Sequence, residues 1–306
     1  MTSPNTKSAI TIGNFDGVHL GHAALISKIN NFRDTCEDKG CRSVVVTFDP
    51  HPVAILRPQE APPKLCSIDD RIKLIRDLGV DQVKVIEFNR DFSQTPAKEF
   101  FEKILIEGLN PSYICVGRNF HFGYQRTGSP QKLYEWATEL GIQAEMIDPV
   151  KISKQGMISS SGIRQALASG DLDIANAMLG RRYSMTGAVV HGHKQGRRLG
   201  FPTANLSLPS DHCLPFSGVY ACFARLEDGT RYQAVSNIGR KPSFGDKHPL
   251  SLETHLLDFN EELYEKSITV EFVYRLRDEM RFDGPQSLSQ QIQKDILKSR
   301  QLLGSY

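Results

Sequence analysis

The stretch "AITIGNFDGVHLGHAALISKINNF", residues 9–32, joins a short apolar run to a helical pattern through a glycine-containing corner. The apolar run ends at Gly13, and Leu25, Ile29 and Phe32 then recur at the spacing of one helix face. A buried strand that leads into an amphipathic helix is the first half of a βαβ unit, so this stretch predicts an α/β fold.

Strand and helix patterns go on alternating up to about residue 180. Buried strands are predicted at 43–48, "SVVVTF", and at 113–117, "YICVG", and a helix capped by Ser67 is predicted at 67–79. The alternation predicts a doubly wound parallel sheet with helices on both faces. Such a sheet binds ligands at the carboxyl ends of its strands.

The remainder of the chain is rich in strand patterns. An Asp-Gly pair at 228–229 predicts a hairpin, and Ser287 with Gln290 predicts the capping box of one terminal helix. Several short strands and a terminal helix favour a small β-barrel. We therefore expect two domains, an α/β domain over 1–180 and a β-barrel domain over 181–306.

Composition and charge narrow the function classes. The 306 residues carry 37 basic and 35 acidic side chains, a net charge of +2, whereas nucleic-acid binding needs a clustered basic face. No apolar run approaches the roughly 20 residues that span a bilayer, and the polar start "MTSPNTKS" has no secretory core. The six cysteines form no C-x-x-C pair and are interpreted as free thiols. We expect a cytoplasmic protein that binds small molecules rather than nucleic acid or membrane, in an oligomeric state that the sequence leaves open.

Two histidines occupy the corner between the first strand and the first helix. His19 and His22 lie where helix N–H groups are free and the helix dipole is positive, which favours an anion such as phosphate. Gly17 and Gly21 let a ligand approach the backbone. The spacing matches neither the G-x-G-x-x-G pattern nor a Walker loop. A pair of polar residues that caps the helix is the alternative interpretation.

Polar segments also follow other predicted strands of the first domain. They are "TFDPHP" at 47–52, "VGRNFHFG" at 116–123 and "ISSSGIR" at 158–164, the last with three hydroxyls and an arginine at a helix start. Because the carboxyl ends of parallel strands meet at one edge of a sheet, we expect these segments to converge with His19 and His22.

The second domain has candidate segments of its own. In "FPTANL", Thr203 and Asn205 point to one face of an extended chain, and two neutral oxygens there suit Mg²⁺ that also holds ATP phosphates. The preceding "HGHKQGRRLG", 191–200, either folds over phosphates or is a solvated basic turn. In "SLETHLLDF", 251–259, the carboxylate of Glu253 lies among apolar residues, which indicates an exposed edge strand or a chemical role.

Taken together, these segments resemble the signature motifs of the bacterial bifunctional riboflavin kinase/FMN adenylyltransferase family, also called FAD synthetases. The first half is similar through "GNFDGVHLGH", "TFDPHP", "VGRNFHFG" and "ISSSGIR", and the second through "VVHGHKQGRRLGFPTANL", "GVYAC", "NIGRKPSFG" and "LETHLLDF". The likeness covers nearly the whole chain. One position departs from it: the family usually has Thr where this chain has Ser161, which keeps the hydroxyl.

The resemblance implies that the first domain, of nucleotidyltransferase-like fold, transfers AMP from ATP to FMN and so gives FAD and pyrophosphate. It implies that His19 and His22 are catalytic and contact the ATP phosphates. The other ATP-binding residues implied in this domain are Gly13, Asn14, Asp16, Gly21, Ser160, Ser161 and Arg164. The flavin-binding residues implied are Asn119, Phe120 and Phe122. No role is assigned to Asp49, His51 or His255.

For the second domain the resemblance implies ATP-dependent phosphorylation of riboflavin to FMN. Glu253 is then the base that takes the proton from the ribityl hydroxyl. Thr203 and Asn205 are the implied Mg²⁺ ligands, and Gly192 and Gly200 are implied in ATP binding. The implied cofactor is Mg²⁺, with ATP as co-substrate and riboflavin, FMN and FAD as substrate, intermediate and product.

Two rival functions are open at this point. A nucleotidyltransferase with a different phosphorylated acceptor accounts for the histidine motif but leaves the second half of the chain without a role. A flavin-binding regulatory protein with degenerate sites is the other, and it is disfavoured because His19, His22, Thr203, Asn205 and Glu253 are all intact.

Overall fold

The computed structural model describes residues 6–152, 156–192, 195–239 and 251–304. The motif "NIGRKPSFG" lies largely outside these residues, as do two positions of the loop at 191–200. The chain divides into two compact units, Met1–Ser160 and Ser161–Tyr306. Among the described residues, no helix has the length and apolar character that crossing a bilayer demands. All six cysteines are free thiols, as predicted.

The first unit is built on five parallel strands. These are β1 Ser8–Ile12, β2 Arg42–Asp49, β3 Gln82–Glu87, β4 Pro111–Gly117 and β5 Gln143–Ile147. Their order in the sheet is β3-β2-β1-β4-β5, so the direction of winding reverses between β1 and β4. The predicted doubly wound sheet is therefore confirmed, and its ligand-binding position is the gap beyond β1 and β4.

Helices connect these strands and cover both faces of the sheet. They are α1 Leu20–Thr35, α2 Pro52–Leu56, α3 Ile68–Asp77, α4 Ala97–Glu99 with a π-helical continuation over Phe100–Glu107, and α5 Pro130–Glu139. Ile26 and Ile75 pack on one face, in a cluster with α1 and α3. Phe101 and Leu133 pack on the other, with the π-helical stretch and α5. A short antiparallel pair, β6 Lys151–Ile152 and β7 Gly156–Met157, follows the sheet.

The second unit is a closed antiparallel barrel. Its helices are α6 Ser160–Ser169, whose first residue ends the first unit, α7 Leu172–Leu179, α8 Gln195–Arg198 and α9 Pro285–Leu303. Its strands are β8 Ser184–Val190, β9 Ala204–Ser207, β10 Gly218–Arg225, β11 Arg231–Gly239, β12 Ser251–Leu256 and β13 Ser267–Arg277. They close in the order β10-β11-β12-β9-β8-β13, which confirms the predicted barrel and the hairpin at 228–229.

Helices α6 and α7 pack within the second unit. The Leu167 carbonyl accepts a hydrogen bond from the Phe216 N–H at 2.8 Å, and the Asn176 side-chain oxygen accepts from the Tyr183 N–H at 2.6 Å. The Asn176 amide also donates to the Phe272 carbonyl at 3.4 Å. The domain boundary predicted at residue 180 stays a prediction, and these bonds associate the preceding helices with the barrel.

The terminal helix corrects one local prediction. It begins at Pro285 with Gly284 as its N-cap, so the predicted capping box of Ser287 and Gln290 is wrong. The Ser287 hydroxyl instead donates to the Gly284 carbonyl at 2.9 Å. Proline at the first helical position has its φ angle set for the helix and lacks an N–H that would go unbonded, so the helix starts three residues earlier than predicted.

Candidate active sites

His19 and His22 begin helix α1 by capping each other. Nδ1 of His19 accepts from the His22 N–H at 3.2 Å, and Nδ1 of His22 accepts from the His19 N–H at 3.3 Å. The two rings stack with their centroids 3.6 Å apart and their planes at 10°. This capping box bonds two N–H groups that a helix start leaves unsatisfied. The helix-capping interpretation of the two histidines is therefore confirmed.

The capping bonds also select the nitrogen that donates. Because Nδ1 is an acceptor in both rings, a neutral ring carries its proton on Nε2. Each ring then has an Nε2–H donor of the kind that binds a phosphate oxygen. Capping and phosphate binding use different nitrogens of one ring, so the first role is compatible with the second.

Buried contacts shape the loop between β1 and α1. The buried Asp16 carboxylate accepts from the Leu65 N–H at 3.0 and 3.2 Å, and the Asp16 carbonyl accepts from Oγ of Ser160 at 2.9 Å. Gly17 has a φ of +80°, and a Cβ there would lie 2.7 Å from the Leu65 side chain. Only glycine fits this conformation at this distance, so the loop that presents the histidines has one stable course.

A cavity of about 260 Å³ lies beyond the ends of β1 and β4. His19 and His22 line it together with Gly13, Gly21 and Ser160. The cavity therefore stands at the reversal point of the sheet, and five of the predicted ATP-side residues meet there, whereas Asn14 and Asp16 do not line it.

A second cavity, of about 430 Å³, has several aromatic rings on its walls, and we call it the aromatic cavity. Asn119, Phe120 and Phe122 line it, which brings together the three residues predicted on the flavin side. The rings of Phe120 and Phe122 stack with their centroids 5.5 Å apart. Further phenylalanine rings on the wall are Phe48, Phe88, Phe92 and Phe100. Stacked and tilted aromatic rings accommodate a planar heterocycle.

Polar segments from three strand ends meet at this aromatic cavity, whereas His19, His22 and the start of the segment 158–164 line the other cavity. Asn14 follows β1, His51 follows β2 and Asn119 follows β4, and all three line the aromatic cavity. The Asn14 amide lies 3.0 Å from Nε2 of His51, whose Nδ1 accepts from the Val53 N–H. Nε2 of His51 is therefore the protonated nitrogen, and the amide orientation that satisfies it turns the oxygen of Asn14 towards it.

The two cavities of the first unit adjoin. Asn119 and Phe120 line both of them. Ser161 and Arg164 lie in the first turn of α6 and belong to the second unit; Ser161 is exposed and Arg164 is half-buried. Their predicted role at the ATP phosphates stays a prediction.

The second unit has a cavity of about 190 Å³ beside β9 and β12. Thr203 and Asn205 both line it, as their two-residue spacing predicted. Gly192 lines it as well, and a Cβ there would lie 2.3 Å from Nδ2 of Asn205. This position therefore requires glycine for the Asn205 amide to pack on the backbone. Gly200 is in the turn that follows α8 and does not line this cavity.

Glu253 lies on β12 directly opposite Asn205 of β9 and Asn237 of β11. Opposed residues of antiparallel strands share a face, so the Glu253 carboxylate projects beside the Asn205 side chain. It does not line the cavity, and it forms no hydrogen bond or ion pair with the described residues. Because β12 lies between two strands of a closed barrel, the interpretation as an exposed edge strand is wrong.

The donor set of this cavity suits a hard cation. Within the described ranges, no group of three or more His, Cys, Asp or Glu side chains is arranged to hold a metal. The Thr203 hydroxyl and the Asn205 amide oxygen are neutral oxygen donors on one cavity wall. Mg²⁺ is commonly bound by few protein oxygens because phosphates and water complete its shell. The residues present therefore fit a Mg²⁺ ion that arrives with ATP.

Sequence patterns missed Arg71, which has the largest fully buried side chain among the residues that the structure describes. Its Nη1 donates to the Phe48 carbonyl at 2.9 Å and lies 3.4 Å from Oγ1 of Thr47. That hydroxyl donates to the Asn14 carbonyl at 3.0 Å, so a buried cation supports both the end of β2 and the loop after β1. The available signal was its spacing: Arg71 is four residues before Ile75 on the buried face of α3, where arginine is unusual.

Comparison with known families gives a match for each half of the chain. The family model described as FAD synthetase matches residues 1–162. The family model described as riboflavin kinase matches residues 179–303.

Full-length relatives carry both names. A Bacillus subtilis (strain 168) protein named bifunctional riboflavin kinase/FMN adenylyltransferase is 39% identical over 293 residues, which cover 94% of this chain and 90% of the relative. The Escherichia coli (strain K12) protein of that name is 33% identical over 303 residues, covering 99% and 95%. A crystal structure described as a macrolide-efflux protein from Streptococcus pneumoniae is similar with a TM-score of 0.85 and 29% identity, over 98% of this chain and 95% of that one.

Proposed function

This chain belongs to the family of bifunctional riboflavin kinases/FMN adenylyltransferases, and we propose which of its residues carry the two reactions. The enzyme phosphorylates riboflavin to FMN with ATP in its second half. In its first half it transfers AMP from a second ATP to FMN, which gives FAD and pyrophosphate. A different acceptor or a purely regulatory role is not favoured, because the two family matches account for both halves.

In adenylyl transfer, a phosphate oxygen of FMN attacks the α-phosphorus of ATP in line and pyrophosphate leaves. Such a reaction needs positioning and stabilisation of charge more than covalent catalysis. We assign the stabilisation to the Nε2–H groups of His19 and His22, whose tautomer the capping bonds fix. Donors held in place before the reaction need no reorganisation as charge builds up on the phosphates.

The observation that carries this assignment is the shared wall of the two cavities. Asn119 and Phe120 line both the aromatic cavity and the cavity of His19 and His22. A flavin ring bound against Phe120 and Phe122 would therefore have its phosphate next to the ATP side. This arrangement supports in-line attack from one cavity on a nucleotide in the other.

The other residues of the first site have supporting roles in this proposal. Gly13 and Gly21 let the ATP phosphates approach the start of α1, and Asn14 lies on the path of approach. Asp16 acts through the backbone, since its carboxylate holds Leu65 and its carbonyl holds Ser160. Further ATP-side residues are Ser160, Ser161 and Arg164, which we assign to the pyrophosphate that leaves.

In riboflavin phosphorylation, the ribityl hydroxyl loses its proton, its oxygen attacks the γ-phosphorus of ATP, and ADP leaves. We propose that Glu253 is the general base that accepts this proton. Its carboxylate forms no bond with another described residue and lies beside Asn205. Thr203 and Asn205 would hold Mg²⁺, with Gly192 and Gly200 on the loop that approaches ATP. A Mg²⁺ ion bound there would neutralise charge on the phosphates.

The substrates and the thiols support a proposal for the cellular setting. Free thiols persist in reducing compartments, and all six cysteines of this chain are free. This supports the proposal that the enzyme works in the cytoplasm on the small molecules ATP, riboflavin and FMN.

Labelled ATP tests the proposed function. The protein is incubated with riboflavin, Mg²⁺ and ATP labelled with ³²P at the γ- or the α-position, and the flavins are separated by chromatography. We expect γ-label in FMN and in FAD, and α-label in FAD alone. Starting from FMN instead of riboflavin is the control, since γ-label should then enter no flavin.

Each alternative gives a different outcome. Tight flavin binding without transfer of label would identify a regulatory protein. Transfer of α-label to a product other than flavin would identify a nucleotidyltransferase with another acceptor. Either result overturns the proposed function.

A further inference from the structure

His255 lies on β12, two residues beyond Glu253 and therefore on the same face of the strand. Its Nδ1 is 2.7 Å from the Pro202 carbonyl oxygen. A carbonyl only accepts, so Nδ1 carries the proton of this bond. The Phe201 ring stands perpendicular to the imidazole, with centroids 5.9 Å apart. The half-buried histidine therefore contacts two successive residues of the segment that leads into β9.

The backbone ladder between β9 and β12 stops where this contact begins. The paired residues of the two strands are Leu252 with Leu206, Glu253 with Asn205, and Thr254 with Ala204. Pro202 has no N–H and cannot extend the ladder. Beyond that point, the hydrogen bond between the His255 imidazole and the Pro202 carbonyl attaches Phe201–Thr203 to β12.

The opposite side of the same segment is attached to α8. The Phe201 N–H donates to the Gly196 carbonyl at 2.8 Å. The Thr203 hydroxyl itself makes no hydrogen bond with the described residues, although it lines the cavity. The place of that hydroxyl is therefore set by the backbone of 201–203, and so by His255 on one side and α8 on the other.

We propose that His255 is a positioning residue for riboflavin phosphorylation: its Nδ1–H holds the Pro202 carbonyl so that the Thr203 hydroxyl faces the cavity beside Asn205. This inference rests on the proposed role of Thr203 on the ATP side. The imidazole does not touch substrate. It acts on the reaction only through the course of Phe201–Thr203.

The test compares two substitutions of similar size. His255→Leu removes the donor and keeps apolar bulk, whereas His255→Asn keeps an N–H donor close to the place of Nδ1. Loss of one hydrogen bond predicts that His255→Leu raises the KM for ATP in riboflavin phosphorylation about five- to tenfold, with a smaller change in kcat. His255→Asn should restore most of the affinity. Adenylyl transfer in the same chain should stay unchanged in both variants, which confirms that the first unit is intact, and urea unfolding checks that the second unit is folded.

Two readouts independent of turnover accompany the kinetics. Amide hydrogen exchange in a peptide covering 199–206 should be faster in His255→Leu than in the wild type, and near the wild-type rate in His255→Asn. Nitrogen NMR of the histidine ring should show the Nδ1–H tautomer in the wild type. His212→Leu is the matched control, because His212 belongs to the same unit and does not line the cavity.

The outcomes separate this inference from the proposed function. Wild-type KM and wild-type exchange in His255→Leu overturn the positioning role, as does faster exchange with an unchanged KM. Thr203→Val is measured in parallel. If Thr203→Val loses riboflavin phosphorylation while His255→Leu does not, only the positioning role of His255 is wrong. If Thr203→Val is fully active, the proposed role of Thr203 is wrong, and the positioning role of His255 is wrong as well.

Discussion

Replacing His22 by Ala separates the two roles that its ring combines. The substitution removes the acceptor of the His19 N–H, now at 3.3 Å, and a ring stacked at 3.6 Å from that of His19. Loss of the cap costs about 1 kcal/mol, and loss of the ring contact about 0.5–1.5 kcal/mol. A domain with about 5–15 kcal/mol of stability stays folded after such a loss. Unfolding therefore would not account for a large fall in activity.

FAD formation by His22→Ala should nevertheless fall about 100- to 1000-fold, because one preorganised donor to the phosphates is gone. His22→Glu is the matched variant, since glutamate is a usual residue at this capping-box position and its carboxylate restores the acceptor. The carboxylate has no donor and repels phosphate. Stability should therefore return towards that of the wild type, while FAD formation stays as low as in His22→Ala or falls further.

Urea unfolding measures the change in stability, and FAD formation from supplied FMN and ATP measures the change in adenylyl transfer. Riboflavin phosphorylation by the same variants is the internal control and should stay near normal. If His22→Glu regains FAD formation together with stability, the ring acts only as a cap and its assignment to the phosphates is refuted. Equal loss of both activities would place His22 outside the adenylyl-transfer site.

Three further expectations concern the second unit. Glu253→Gln should lower FMN formation about 100- to 10,000-fold, the usual cost of losing a general base, while FAD synthesis from supplied FMN continues; a wild-type rate of phosphorylation rules out Glu253 as the base. A fragment of 161–306 should unfold at higher urea concentration than one of 182–306, because it keeps α7 with its four buried side chains on the barrel; equal midpoints would contradict that packing. Burial lowers the pKa of His255 below its usual 6.5, so the unfolded chain binds the proton first and stability should decline as pH falls through 6.5. His255→Asn should decline less steeply over this range, and an unchanged slope would contradict the burial of the ring.

Local patterns predicted the parts of the fold that local physics decides. The apolar run before Gly13 and the helix that Ser67 caps appear where periodicity and capping placed them. Convergence of Asn14, His51 and Asn119 at one cavity was also predictable, because the carboxyl ends of parallel strands share one edge. These inferences need only the order of elements along the chain.

The rest depends on contacts between residues far apart in sequence. The pairing of Glu253 with Asn205 needs the register of β12 against β9, which no single segment contains. Closure of the barrel removed the edge on which the exposed interpretation of Glu253 depended. Arg71 was missed for the same reason, since its partners lie on β2 and a helical pattern alone does not show what its buried face meets.

The most direct test of two chemically independent sites is complementation between His22→Glu and Glu253→Gln. Each variant, and then an equimolar mixture of both, is incubated with riboflavin, ATP and Mg²⁺, and FMN and FAD are measured over time. We predict that His22→Glu accumulates FMN, that Glu253→Gln converts riboflavin about 100- to 10,000-fold more slowly than the wild type, and that the mixture forms FAD from the FMN that is released. Wild-type FAD formation by either variant alone, or a mixture that makes FMN but no FAD, would contradict this prediction.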